Sequence, residues 1–237
     1  MIVTIDGPAG AGKSSIAHQV ADRLGFEFLD TGAMYRAVTL GALRHKIDLS
    51  DADRLAAYAA SVNLRWEDDK IYLDDEDVSQ EIRGPEVTGA IRYLADIPIV
   101  REQLSAQQRR IADGRDIVTE GRDQGTEVFP NATCKVFLTA SPEERARRRQ
   151  QQLADVGKTM TIEEILTAQN QRDLEDRMRD VGRLRAASDA VVVQSDSMTP
   201  DEVLQRVLEI VEQCLGKTRD STRHDTPSGV PQNTPRG

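Results

Sequence analysis

The chain opens on a short β-branched apolar run, MIVTID (residues 1–6), that stops at a glycine, the pattern of a buried strand. Behind it, Ile16, Val20 and Leu24 recur at helical spacing across residues 13–24. A second apolar run at 27–30 ends on a carboxylate and reads as another strand, followed by helical patterns at 35–43 and 51–60. The rhythm then breaks over VNLRWEDDKIYLDDEDV (62–78). Val62, Leu64 and Trp66 alternate, and Ile71 and Leu73 alternate again beyond Asp68-Asp69-Lys70, which predicts antiparallel hairpin structure. Helices resume near Pro85 and Pro98, because proline suits a first helical turn. Apolar runs at 117–119, 134–139 and 190–193 predict three more strands, separated by helical patterns at 142–154, 162–178 and 200–215. Five short strands alternating with helices predict an α/β domain with a parallel five-stranded sheet covered on both faces. From Gly216 onward no apolar period survives and three of the nine prolines occur, so residues 216–237 read as a disordered tail behind a folded unit at 1–215.

Composition narrows the class. Hydrophobic residues at 38% and charged residues at 30% support a packed core with a solvated surface. A formal charge of -9 argues against nucleic acid as a partner. The two cysteines, Cys134 and Cys214, and the histidines, His18, His45 and His224, have no metal-site spacing, so both cysteines read as small apolar side chains. No basic start precedes an apolar run and no long apolar segment follows, which predicts a cytoplasmic protein without a membrane partner.

The first strand and helix are joined by Gly7-Pro8-Ala9-Gly10-Ala11-Gly12-Lys13-Ser14, which fits G-x-x-x-x-G-K-[ST] in the strand-turn-helix context that gives the pattern meaning. Small residues let backbone N–H groups curl around phosphates, and the helix N-terminus adds its dipole. Lys13 then neutralises the outer phosphates, Ser14 is placed to ligate Mg²⁺, and Ser15 continues the cradle. GTPases, motors and kinases all use such a loop. The chain has neither an N-K-x-D stretch nor a strand ending in an Asp-Glu pair.

What accompanies the loop is a set of placed arginines. A kinase with a phosphorylated acceptor needs a second anion site facing the first, and guanidinium forks suit it. Asp30-Thr31-Gly32-Ala33-Met34-Tyr35-Arg36 follows the second strand and reads either as an acceptor site or as a helix start with a Thr cap. Gly-Arg-Asp occurs twice, at 114–116 and 121–123. The first copy falls between helix and strand, a turn at the wrong end for a ligand. Gly121-Arg122-Asp123 follows the strand on the side where open parallel sheets bind ligands. Glu120, at the strand end, is a candidate for supporting Mg²⁺ through water. Arginine-rich helices at 143–149 and 172–179 read as solvated faces with i,i+4 charge pairs. Arg172, Asp176 and Arg179, however, share one face at i, i+4 and i+7, and the loop at 156–159 has the place of a lid tip.

Taken together, IDGPAGAGKSS, LDTGAMYR, DVSQEIRGPEV, EGRDQGTEVFP, KVFLTASPEERARRR and RDLEDRMR resemble the bacterial cytidylate kinases, a family of P-loop nucleoside monophosphate kinases. The resemblance implies a three-layer P-loop kinase fold with a small β-containing monophosphate-binding insert (about 61–98) and a helical lid (about 148–180). It implies transfer of the terminal phosphoryl group of ATP, with Mg²⁺, to CMP or dCMP by a monomer. Residue by residue, Arg36, Arg122 and Arg179 would hold the acceptor phosphate, with Thr31, Tyr35 and Gly121 beside them. Arg101 and Asp123 would read the cytosine, and Arg172 and Asp176 would meet the ribose. Arg148 would approach the donor phosphates from the lid, joining Lys13, Arg122 and Arg179 as catalytic groups. The family often carries a small hydroxyl residue where this chain has Arg92, and an aspartate where it has Glu120. A kinase for another small acceptor such as UMP, or a nucleotide-binding regulatory module, are the competing readings.

Overall fold

The computed structural model describes residues 1–155 and 157–223. Its main sheet has strands β1 (Ile2–Asp6), β2 (Glu27–Asp30), β6 (Ile117–Gly121), β7 (Cys134–Thr139) and β8 (Val191–Gln194), in the order β2-β6-β1-β7-β8. Every pairing within it is parallel. Because side chains alternate along a strand, Ile117 enters one core and Val118 the other. One face packs against α1 (Lys13–Leu24) and α8 (Pro200–Arg223) through Ile16, Val20, Leu204 and Val207. The opposite face packs against α2 (Thr31–Arg44) and α5 (Pro98–Ala112), with α3 (Ala52–Ser61) and α4 (Pro85–Ala95) in the same core. Three layers result, as the alternation of elements predicts.

The expected hairpin region is a three-stranded antiparallel sheet of β3 (Leu64–Glu67), β4 (Lys70–Leu73) and β5 (Glu76–Asp77). Its two tight turns place Asp68-Asp69 and Asp74-Asp75 at positive φ, a conformation the short polar aspartate side chain tolerates. Trp66 meets Phe28 of β2 edge-on, with centroids 6.4 Å apart, which ties the insert to the main sheet. Helices α6 (Pro142–Asp155) and α7 (Ile162–Met178) form a hairpin on a small core of Ala146, Leu153 and Ile165. A capping box, Thr161 with Glu164, starts α7. Val156, the first residue of the expected lid tip, lies outside the described residues.

Two boundaries differ from expectation. Helix α2 begins at Thr31 with Asp30 as its cap, the carboxylate accepting from the Ala33 N–H at 2.9 Å. Helix α8 runs past Gly216 to Arg223, because a nucleated helix propagates at small cost until a proline or a strong cap stops it. The rest of the expected tail, 224–237, lies outside the described residues. Among the described residues no helix is long and apolar enough to cross a membrane.

Candidate active site

The register brings the carboxyl ends of the central strands level, with Asp6 opposite Gly121 and Asp30 opposite Glu120. The segments that follow β1, β2 and β6 therefore open onto one cavity of about 890 Å³. Its donor-side wall is the loop between β1 and α1. Gly7 lies so close to β7 that a Cβ there would stand 1.9 Å from the Leu138 carbonyl oxygen, and Gly10 and Gly12 take the left-handed region at φ 77° and 86°. Lys13 is only 5% exposed; its Nζ donates to the Pro8 carbonyl at 2.9 Å and stands 3.8 Å from Glu120 Oε2. Burial, helped by the nearby Arg122 charge, pushes the Lys13 pKa down to about 7. A polyanion arriving beside it would restore the charge.

Ser14 Oγ donates to Glu120 Oε1 at 2.8 Å, so the two oxygen donors expected around Mg²⁺ are adjacent. Asp30 stands on the same wall, its pKa raised to about 6 by burial and then by Glu120. Among the described residues no group of three or more His, Cys, Asp or Glu side chains is arranged to hold a metal. Such a donor set fits a hard cation that brings most of its oxygens with it, from nucleotide and water.

The facing wall is cationic. Asp176, 2% exposed, holds two arginines at once: Arg122 Nε lies 2.9 Å from Oδ2 and Arg179 Nη1 lies 2.8 Å from Oδ1. Burial alone would raise the Asp176 pKa, but Arg122, Arg179 and Arg172 outweigh it and hold the carboxyl below its usual range. Arg172 lines the cavity beside Arg122 and Arg36; burial and those like charges lower its own pKa. Arg36 donates to Thr88 Oγ1 of α4 at 2.8 Å. One buried carboxylate thus organises a wall with more positive than negative charge, opposite a buried lysine. Such a wall has the chemistry to hold an anion.

Deeper in, Arg101 Nη2 pairs with Asp123 Oδ2 at 2.5 Å, both side chains being buried, and its guanidinium carbon lies 5.3 Å from the Tyr35 ring centroid. Arg101 Nη1 donates to the Ala95 carbonyl at 3.0 Å, while its buried Nε has no hydrogen-bond partner among the described residues. Thr31 lines the cavity with its hydroxyl donating to the Glu120 carbonyl at 2.7 Å.

Of the residues anticipated from sequence, the donor loop and the acceptor set from Thr31 to Arg179 meet around the same cavity, Gly7, Pro8 and Ala11 standing behind its wall. Arg148 stands apart from the others. It turns away from the cavity, its Nη2 donating to the Ser195 carbonyl at 2.7 Å and its Nε to Glu144 Oε1 at 3.0 Å. Its neighbour Arg149 lines the cavity instead, because one step along a helix rotates a side chain by roughly 100°. Arg145, 3% exposed, braces the donor loop by donating to the Ala9 carbonyl at 2.8 Å and pairing with Asp173 at 2.7 Å. Arg92 lines the cavity wall from α4, its Nη2 within 3.3 Å of the Tyr93 hydroxyl. Gly182 escaped the sequence reading altogether. At φ 75° it packs so closely on Arg101 that a Cβ would fall 2.0 Å from its Nε, and no local pattern marks it.

Comparisons with known proteins point to one family. The Cytidylate kinase family profile matches residues 3–213. A cytidylate kinase of Rhodopirellula baltica is 69% identical over 215 residues, covering 91% of this chain and 94% of that protein. One from Caldanaerobacter subterraneus subsp. tengcongensis is 44% identical over 209 residues, covering 88% and 93%. Among solved structures, an uncharacterized protein from Eubacterium ventriosum shares the fold at a TM-score of 0.50 and 11% identity, covering 90% of this chain and 98% of that one.

Proposed function

The chain belongs to the cytidylate kinase family, and from that premise we propose that it transfers the terminal phosphoryl group of ATP to CMP or dCMP, giving ADP and CDP or dCDP. The observation that carries the reading is the facing of Lys13 and its glycine loop by Arg122 and Arg179, both held by Asp176, around one cavity. Two polyanions would otherwise repel each other across it.

In this reading the backbone N–H groups of the donor loop, residues 7–15, and Lys13 hold the triphosphate. Arg36, Arg122 and Arg179 hold the acceptor phosphate, Arg101 and Asp123 meet the cytosine, and Arg172 and Asp176 meet the ribose. Arg149 takes the donor-side role expected of Arg148, since it is the one on the cavity wall. Ser14, supported by Glu120, would hold Mg²⁺, which neutralises charge on the transferring group when bound with ATP. The acceptor oxygen is already ionised near neutral pH, so no general base is needed. Positioning and charge neutralisation then account for catalysis. The protein acts as a monomer in the cytoplasm on dissolved nucleotides.

An acceptor panel of CMP, dCMP, UMP and AMP with Mg-ATP, read as ADP release, tests the proposal. CMP and dCMP should raise the rate far above that of ATP alone. A preference for UMP or AMP, or a rate indifferent to added CMP, would reject it.

A further inference from the structure

Arg179 is clamped on two sides. Its Nη1 reaches Asp176 Oδ1 within its own segment, at 2.8 Å, and its Nε reaches Asp96 Oδ1 at 2.6 Å. Asp96 belongs to a different part of the fold: it caps the C-terminus of α4, with its N–H donating to the Arg92 carbonyl, two residues before Pro98 opens α5. Both helices are anchored in the core by Leu94 and Val100, which ties the corner that carries Asp96 to the fold. A guanidinium has five N–H donors, and no described protein group accepts from Nη2 of Arg179. An ordinary surface ion pair contributes little. This pair differs, because the Arg179 side chain is only 12% exposed while Asp96 is 47% exposed.

We infer that Asp96 is a positioning residue for the acceptor phosphate. It holds Arg179 from the insert side so that the edge not engaged by Asp96 and Asp176 meets the incoming phosphate. The inference rests on the functional reading above, and it places an acidic residue outside the cavity wall in the acceptor site. It also links the insert to the end of α7, so occupancy of the acceptor site is felt by both.

The test is CMP affinity by calorimetry, together with steady-state kinetics, for the wild type, Asp96→Asn and Asp96→Glu. Asp96→Asn should weaken CMP binding and raise its KM about fivefold at low salt, the size of effect a partly exposed charge pair can exert. The kcat and the KM for ATP should stay within about twofold, and Asp96→Glu should recover most of the loss. The effect should shrink in 0.5 M KCl. In an Arg179→Ala background Asp96→Asn should add almost nothing, since its route runs through that arginine. Unchanged CMP affinity in Asp96→Asn, or a loss that persists undiminished without Arg179, would overturn the assignment. A wild type that binds CMP but does not phosphorylate it rejects the kinase reading alone, and the affinity ratio still decides on Asp96. A wild type that binds no CMP overturns both.

Discussion

Arg115 and Arg122 leave opposite ends of the same strand, β6, and meet carboxylates of opposite character. Arg115 Nη1 lies 2.9 Å from exposed Glu27, beside the left-handed turn at Gly114. Arg122 Nε lies 2.9 Å from buried Asp176, on the cavity wall. Each follows a glycine and precedes an aspartate, so only the end of the strand separates them. Arg115→Ala should leave turnover within twofold of wild type, since an exposed pair contributes little. Arg122→Ala should lower kcat/KM for CMP by roughly a hundredfold or more. Steady-state kinetics on the two purified variants checks both, and the reverse ranking would overturn the assignment of the second Gly-Arg-Asp to the site.

Lys13→Ala should abolish turnover, with on the order of 3 kcal/mol or more of transition-state stabilisation lost, while the fold survives. The native side chain is buried with a depressed pKa, so folding gains nothing from its charge. Circular dichroism and a melting curve should therefore match wild type or better it. A variant that keeps activity would remove the donor cradle from the account.

Arg149 and Arg148 should separate in kinetics. Arg149→Ala, on the cavity wall, should reduce kcat by about tenfold or more. Arg148→Ala removes the contacts to Ser195, which fasten α6 to the segment after β8, and an i,i+4 pair with Glu144 within α6. Its main effect should be a lowered melting temperature, by about 2–4 °C for a 1 kcal/mol loss in a domain of this size. Equal kinetic damage from both would show that the α6–α7 hairpin rearranges on ATP binding.

Asp6 offers a pH test. Its carboxylate accepts from the Gln124 and Gly125 N–H groups at 2.9 and 2.7 Å, yet burial outweighs those bonds and raises its pKa to about 7. A carboxyl whose pKa is raised on folding favours the folded state while protonated and costs stability as it ionises. That cost grows between about pH 4 and pH 7 and is full above. Asp6→Asn loses part of the hydrogen bonding at every pH but escapes the ionisation. Its melting temperature relative to wild type should therefore improve from pH 5 to pH 8. A difference that stays constant, or worsens, would mean that Asp6 is ionised throughout at no cost.

Much of the site was legible in one dimension because its pieces are local. The glycine loop is a continuous octapeptide whose strand and helix are set by adjacent apolar periods. Arg172, Asp176 and Arg179 share a face because helical geometry fixes i, i+4 and i+7. The rule that ligands gather at strand carboxyl ends separated Arg122 from Arg115 without coordinates. The reading failed where a decision depended on rotation or on distant packing. In the run Arg147-Arg148-Arg149, sequence does not say which side chain faces the cavity; the docking of α6 on α7 and on Ser195 decides it. Gly182 combines a left-handed φ with the close approach of Arg101, from a helix some eighty positions earlier.

By itself, then, the order of residues determined the alternation of strands and helices and the phosphate loop, since each rests on interactions within a few residues along the chain. Only the tertiary structure decided that Asp176 would hold Arg122 and Arg179 together, that Arg149 rather than Arg148 would line the cavity, and that Asp96 would reach Arg179. Those outcomes are set by how separately folded segments dock, and the energy of docking belongs to surfaces that no single stretch of sequence contains.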